Sequence, residues 1–201
     1  GVDAWVVQRE EQDPAEYAAT WSRDGGQRAG TPEHEGMSLA WLEDFAARGV
    51  ERVGFGVITL QRPVGERPTF RDLVDHRGPV ATPMGASVLA GMRARTWLAE
   101  HDDAAVLDVA WSCPPDVTEE RHTRPGEADP TVIVLRQGGG LGRVIQLSTV
   151  TAALVSVCDG ELTAGVAAGA IAGLLDLDPD AVRAEVVPFV REAVADGLLV
   201  R

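Results

Sequence analysis

The sequence contains no lysine and has a large excess of acidic residues. All 18 basic residues are arginines, against 31 aspartates and glutamates, which gives a formal net charge of −13. The arginines are scattered from Arg9 to Arg201, so no basic patch is available to neutralise a phosphate backbone. The composition therefore argues against nucleic acid as a partner.

Cysteine and histidine are also scarce. Cys113 and Cys158 are the two cysteines, and they form no C-x-x-C pair, so the sequence predicts neither a disulfide framework nor a zinc site. Both are expected to be buried thiols. The histidines stand alone, without partners at ligand spacing, and no metal site is predicted; they are His34, His76, His101 and His122.

Long apolar runs are missing too. No apolar segment approaches the roughly 20 residues of a membrane-spanning helix, and none has the features of a signal peptide. With 45% hydrophobic residues and five tryptophans, the chain has enough apolar side chains for a sizeable core. We expect a soluble, cytoplasmic protein.

The chain has no initiator methionine and no lead-in before its first strand. Ala4 to Gln8 is almost wholly apolar, as expected for a strand buried on both faces of a sheet. Because such a strand needs neighbours, we expect the chain to be the carboxyl-terminal part of a larger protein. We also expect Trp5, Val6 and Val7 to lie at an open edge through which the chain self-associates.

Residues 1–80 alternate between strand and helix patterns. Asp13-Pro14 predicts the start of a helix, residues 22–36 a loop, and 37–48 a second helix. Two strands follow at 50–62 and 69–76, joined by a turn at 63–68. The helical crossover predicts a parallel first pair of strands, and the turn predicts an antiparallel hairpin.

These residues resemble the last three strands of a class I S-adenosylmethionine-dependent methyltransferase, whose final strand is antiparallel. Residues 3–10 (DAWVVQRE) and 53–60 (VGFGVITL) are similar to the end of an actinobacterial family of N5-glutamine methyltransferase-like proteins. In that family a methyltransferase domain precedes a carboxyl-terminal domain. The resemblance implies an α/β architecture, with the last strands of a Rossmann-like sheet in residues 1–80 and an appended α+β module in residues 81–201.

The resemblance also implies methyl transfer from S-adenosylmethionine to a nitrogen, in a protein glutamine or a nucleobase. The family's glycine-rich loop, ribose-binding acid and Asn-Pro-Pro-Tyr motif are absent from this sequence, so we expect the chain alone to be inactive, with its cofactor and catalytic motifs in a missing amino-terminal half. Substrates bind at the carboxyl ends of strands in open α/β sheets. The candidate substrate-lining residues are therefore Gln8, Arg9 and Glu10 after the first strand, and Arg62 and Arg67 at the turn. Alternatively, residues 8–10 only satisfy the strand end.

Two segments imitate functional motifs. Cys113-Pro114-Pro115-Asp116 has the prolines of an Asn-Pro-Pro-Tyr motif but lacks its amide and aromatic ring, and we interpret it as a turn that ends a strand. The glycine-rich segment 138–142 (GGGLG) is flanked by strand patterns rather than opening a helix. It is therefore predicted to be a hairpin turn.

The module at 81–201 reads as a helix at 85–99, a strand at 104–111 and a polar loop at 113–130. A hairpin at 131–147 then precedes three helices and a terminal strand, which resembles a winged helix. Its helices are predicted to start at the caps Ser148, Thr163 and Asp178.

Winged helices often bind DNA, but residues 144–201 hold three arginines against eight acidic residues. This balance disfavours direct contact with a phosphate backbone. The alternative to a methyltransferase fragment is therefore a non-enzymatic winged-helix-like module that binds a protein partner.

Overall fold

The computed structural model describes all residues, Gly1–Arg201. The protein is a mixed α/β chain with seven helices and three small sheets. It divides into a small unit, Trp5–Thr59 with Asp72–Arg77, and a large unit, which comprises Gly1–Ala4, Leu60–Arg71 and Gly78–Arg201. None of the helices is both long enough and apolar enough to cross a membrane.

The first sheet has the strand order β2-β1-β3, where β1 is Asp3–Gln12, β2 is Val53–Gln61 and β3 is Arg71–Asp75. The central position of β1 corrects the expectation that it forms an open edge, because it has a neighbour on each side. The side chains of Trp5 and Val7 are accordingly buried.

The expected pairing within this sheet is also wrong. Ala4 N–H donates to the Phe70 carbonyl at 3.0 Å and His76 N–H donates to the Gln8 carbonyl at 2.8 Å, so β1 and β3 run parallel. Gln61 lies beside Asp3, and Gly56 lies against the Val7 carbonyl, so β2 is antiparallel to β1. β2 and β3 form no hairpin, because the connector between them joins the two opposite edges of the sheet.

The helix α1, Pro14–Asp24, starts as the sequence predicts. The Asp13 carboxylate accepts from the Ala15 and Glu16 N–H groups at 2.8 and 2.9 Å, and Glu16 completes a capping box. The second helix, α2, spans Pro32–Ala47 and begins within the predicted loop, because Thr31 caps it and Pro32 occupies its first turn.

The beginning of the module at 81–201 contains one confirmed helix and one correction. Helix α3 spans Gly85–Glu100. The apolar run predicted as a strand at 104–111 instead forms helix α4, Asp103–Leu107, followed by β4, Ala110–Ser112. The reason is Asp102, whose carboxylate accepts from the Ala105 N–H at 2.9 Å and so starts a helix.

The polar segment predicted as a loop contains strand β5, Val117–His122, which joins an antiparallel sheet with β6, Val132–Gln137, and β7, Val144–Leu147. Its charged side chains gain partners across the sheet: Glu120 forms an ion pair with Arg136 at 2.5 Å. The predicted hairpin between β6 and β7 is confirmed, since Gln137 N–H donates to the Arg143 carbonyl at 2.8 Å.

The remaining elements form the main core. They are α5, Thr149–Val155; β8, Asp159–Thr163; α6, Ala164–Leu175; and α7, Pro179–Ala195. The predicted caps Ser148, Thr163 and Asp178 are all in place. β4 pairs with the previously unpredicted β8, and Ser112 also bridges Val200. Side chains from Val106 to Leu199 form one continuous hydrophobic cluster in the large unit.

Candidate functional site

The five residues predicted to line a substrate lie on two stretches of chain. Gln8, Arg9 and Glu10 belong to the small unit, and Arg62 and Arg67 belong to the large unit. The first three do not follow the strand as expected. Pairing on both sides extends β1 to Gln12, so they lie inside the strand.

Arg9 is the member of this group with unused hydrogen-bonding capacity. It lies two residues after Val7 and four after Trp5, so it shares their buried face of β1. Its Nη1 atom is buried and has no hydrogen-bond partner. Glu11, the next residue on that face, pairs instead with Arg52 at 3.3 Å and Arg77 at 2.9 Å. Arg9 therefore keeps a donor that a carbonyl or carboxylate oxygen could accept.

Gln8 and Glu10 point to the opposite face of β1. The Gln8 side chain lies over Gly54, where its Oε1 would be 2.7 Å from an added Cβ. A side chain at position 54 would displace this amide. Glu10 is exposed, and its contact is with the Gln12 amide at 3.5 Å. The contacts of these two side chains are therefore with residues of β1 and β2.

Arg67 is part of a buried ion pair. Its Nη2 lies 2.5 Å from Asp3 Oδ2, and the two side chains are 8% and 0% exposed. Burial opposes ionisation of Asp3, but hydrogen bonds from Arg67 and from the Phe70 N–H outweigh it and hold the pKa of Asp3 below its ordinary value. Arg67 thus pins the connector between β2 and β3 to the start of β1. Arg62 is exposed on the same connector.

A second cluster of charges, not found from the sequence, lies in the large unit. Arg95 Nη2 and Arg143 Nε approach the same Asp196 Oδ1 at 3.4 and 3.5 Å, and Arg95 Nη1 also donates to the Ala195 carbonyl. Two guanidinium groups share one carboxylate, and Arg143 Nη2 is buried without a partner. The local signal was the pair Arg93 and Arg95 within the otherwise mainly apolar central turns of α3.

The glycine-rich turn between β6 and β7 is occupied by internal contacts. Gly138 N–H donates to the Asp116 carbonyl at 2.7 Å, and Gly139 N–H donates to the Asp116 carboxylate at 2.9 Å. Gly140 and Gly142 have φ values of 56° and 61°, which favour glycine. The turn joins two strands and opens no helix, as the sequence predicts.

An open groove of about 480 Å³ runs between α4 and α7 in the large unit. It is lined by the apolar side chains of Leu107, Val187 and Pro188 and by the charged side chains of Asp103, Asp180 and Arg183. The groove has no pair of titratable groups arranged as an acid and a base. Its chemistry is that of a surface that accepts an apolar side chain.

The two cysteines, predicted to be buried thiols, are free and partly buried. The pKa of Cys158 is raised to about 12, mainly by burial and to a smaller extent by electrostatic repulsion from Cys113 and Asp159. The pKa of Cys113 is also raised, mainly by burial and to a smaller extent by the negative charge of Glu119. Both side chains are therefore neutral thiols at pH 7 and are poor nucleophiles.

The chain matches a protein family of unknown function. The domain of unknown function (DUF7782) matches residues 84–201, which is more than half of the sequence and covers the whole of α3 to α7. No curated protein and no solved structure matches the chain.

Proposed function

The chain belongs to the DUF7782 family, and on that premise we propose that it is the carboxyl-terminal part of a cytoplasmic S-adenosylmethionine-dependent methyltransferase. The acceptor is a nitrogen of a protein glutamine or of a nucleobase. Residues 84–201 are then an appended module, and the small unit belongs to the catalytic sheet.

The observation that carries this proposal is an uncovered apolar surface on the first sheet. Phe55 contacts Tyr17 of α1 with ring centroids 5.8 Å apart, so one face of β2 is covered by helix. Ile58 alternates to the opposite face of β2 and is 68% exposed, and Leu73 of β3 is 78% exposed. A methyltransferase sheet carries helices on both faces. Other residues of a larger protein would supply this second layer.

The resemblance of the sequence supports the same proposal. The two segments that are similar to the methyltransferase family, residues 3–10 and 53–60, are paired strands of one sheet. The order β2-β1-β3 differs from the terminal hairpin of that family, so the support comes from the segments and from the uncovered surface.

The residues present do not fit S-adenosylmethionine by themselves. The glycine-rich turn that could hold a phosphate or a carboxylate already donates to Asp116, and it lies between two strands. We therefore assign to this chain only substrate contacts. Arg9 is the residue suited to that role, because its Nη1–H groups donate to no protein acceptor and can donate a hydrogen bond to the carbonyl oxygen of an amide.

The proposal is tested by the intact mass of the protein in its source cells. We expect a mass well above 21.3 kDa, and we expect the purified longer protein to bind S-adenosylmethionine in a calorimetric titration while the 201-residue chain does not. A cellular mass of 21.3 kDa would remove the methyltransferase function.

A second candidate function is a protein-interaction module within residues 84–201. The order α5-β8-α6-α7, closed by the bridge at Val200, is similar to a winged helix. The specific observation in its favour is Leu174 on α6, which is 84% exposed. A photoactivatable residue at position 174 in source cells should cross-link to another protein, whereas the same residue at Leu89 on α3, which is 50% exposed, should not. Equal cross-linking at both positions would contradict this function.

A further inference from the structure

Helix α6 has no charged residue. It spans Ala164–Leu175 and reads AGVAAGAIAGLL. Its inner face is buried in the core through Ala167, Ala168 and Ile171. A helix with only one buried face normally carries polar residues on the other. Here the outer face is apolar as well.

The outer surface, which we name the α6 face, follows the spacing of one helical stripe and continues past the end of the helix. All of its members are exposed: Val166, Gly169, Ala170, Gly173, Leu174 and Leu177. Val166 is 59% exposed, Leu174 is 84% exposed and Leu177 is 44% exposed. Contiguous apolar surface of this kind on a water-soluble domain marks a binding surface.

The shape of the α6 face suits a helix as its occupant. A Cβ atom added at Gly169 or Gly173 would meet nothing within 4 Å, so both positions are open to solvent. The two glycines present no side chain on this face, beside the exposed side chains of Val166 and Leu174. The ridge of a second helix can pack over these glycines and bring the two helix axes close together.

The charges around the α6 face determine the chemistry of the partner. Residues 144–182 contain five acidic residues and no basic residue. Two of the acids precede α6 on β8, and three follow it, and all five are exposed: Asp159, Glu161, Asp176, Asp178 and Asp180. An apolar stripe with acid at both ends is complementary to an apolar stripe flanked by arginine or lysine. A second copy of this chain would place acid against acid.

We propose that the α6 face binds a basic amphipathic helix of another protein. This inference rests on the second candidate function, the interaction module, and is independent of methyl transfer. Apolar contact supplies the affinity, and the acidic residues select partners by the sign of their charge and exclude self-association.

The probe is a fluorescent helical peptide of about 20 residues, roughly 30 Å long, with a stripe of leucine and alanine flanked by arginine. A control peptide has the same stripe flanked by glutamate. Binding to the full chain is measured by fluorescence anisotropy. The test variants are Leu174→Gln, which removes the most exposed apolar side chain, and the double variant Glu161→Gln, Asp180→Asn, which removes two acids. The matched control is Leu89→Gln, an equivalent change on α3.

We expect the arginine peptide to bind and the glutamate peptide not to bind. Leu174→Gln should weaken binding of the arginine peptide by about tenfold, as expected for one buried leucine contact. The double variant should weaken it by a few-fold and reduce its dependence on salt. Leu89→Gln should bind like the wild type. Circular dichroism spectra of all variants should match, because the substituted side chains are exposed.

Three results would overturn the inference: no binding of the arginine peptide, equal binding of both peptides, or equal effects of Leu174→Gln and Leu89→Gln. Dimerisation of the chain that Leu174→Gln abolishes, or sedimentation with neutral phosphatidylcholine vesicles that it abolishes, would also overturn it by showing a different occupant. If position 174 cross-links to a protein in cells but the arginine peptide does not bind, the interaction module stands and the basic partner is wrong.

Discussion

The two units differ in how they bury their apolar side chains. The large unit has a continuous core that extends from Val106 to Leu199. The small unit fully buries only Trp5, Val7, Ala18 and Phe45 among its hydrophobic residues. It depends instead on ring contacts around Tyr17, whose centroid lies 5.6 to 5.9 Å from four other aromatic rings. A unit with so few buried side chains has little stability of its own.

The largest effect is expected from Trp111→Ala in the large unit. Trp111 is 2% exposed, and its indole N–H donates to the Val106 carbonyl at 3.0 Å. Removal of the ring should lower the free energy of unfolding by about 3–5 kcal/mol, measured by urea denaturation. Trp21→Ala in the small unit is the control, because Trp21 is 46% exposed and should cost much less. Equal losses would contradict the assignment of Trp111 to the core and of Trp21 to the surface.

The next effect is a pH dependence that Asp3→Asn should remove. The folded-state pKa of Asp3 lies below its ordinary value of 3.8. Burial raises this pKa, but the hydrogen bonds from Arg67 and from the Phe70 N–H lower it by more. Ionised Asp3 therefore stabilises the folded chain above pH 3.8, and this stabilisation is lost as the pH falls through the lower folded-state pKa.

The measurement is the unfolding midpoint in urea of wild type and Asp3→Asn from neutral to acidic pH. Wild type should be the more stable at neutral pH, and the difference should shrink below pH 3.8. The control Asp24→Asn changes an exposed residue at the end of α1 and should follow the wild type. A difference that does not change with pH would contradict the role of the ion pair.

A smaller loss of stability is expected when one helix cap is removed in each unit. Asp13→Ala removes the cap of α1, and Ser148→Ala removes that of α5, where the Ser148 hydroxyl accepts from the Thr151 N–H at 3.1 Å. Each change should cost about 1 kcal/mol. In native-state hydrogen exchange, Asp13→Ala should accelerate exchange only in the small unit, while Ser148→Ala should lower protection throughout the core around α5. Identical patterns would mean that the units open together.

The smallest effect on stability is expected from Leu174→Gln. The side chain is 84% exposed, so the free energy of unfolding should change by less than about 0.5 kcal/mol. Leu154→Ala, at a position that is 0% exposed, is the matched comparison and should cost about 2–5 kcal/mol. A large loss from Leu174→Gln would show that the α6 face packs within the chain.

Elements with local signals could be predicted from the sequence, and elements that depend on distant partners could not. The caps Asp13, Ser148 and Thr163 each satisfy backbone N–H groups two or three residues away, so their helices were correctly placed. The run at 104–111 was misassigned because alanine, valine and leucine suit both helices and buried strands, and the decisive group was the Asp102 carboxylate just before it.

The candidate site shows the same limit. Gln8, Arg9 and Glu10 were predicted to follow the first strand but lie inside it, because the length of β1 depends on β2 and β3, which are distant in sequence. Arg67 appeared to be a surface turn residue because its partner Asp3 lies far away in sequence. The Arg95–Asp196–Arg143 cluster joins residues that are distant in sequence, so the arginines within α3 do not by themselves identify Asp196 as a partner.

The pairing of Ser112 with Val200 also sets an order of assembly during synthesis of the chain. The sheet β5-β6-β7 needs only residues 117–147 and can form as soon as these have emerged from the ribosome. The core around Trp111 must wait for residues 198 and 199, and β4 remains without its second neighbour until residue 200 has emerged. Until then, the apolar side chains of the large unit are exposed to the cell, and a pause in translation late in this segment would lengthen the period in which the chain is vulnerable to aggregation.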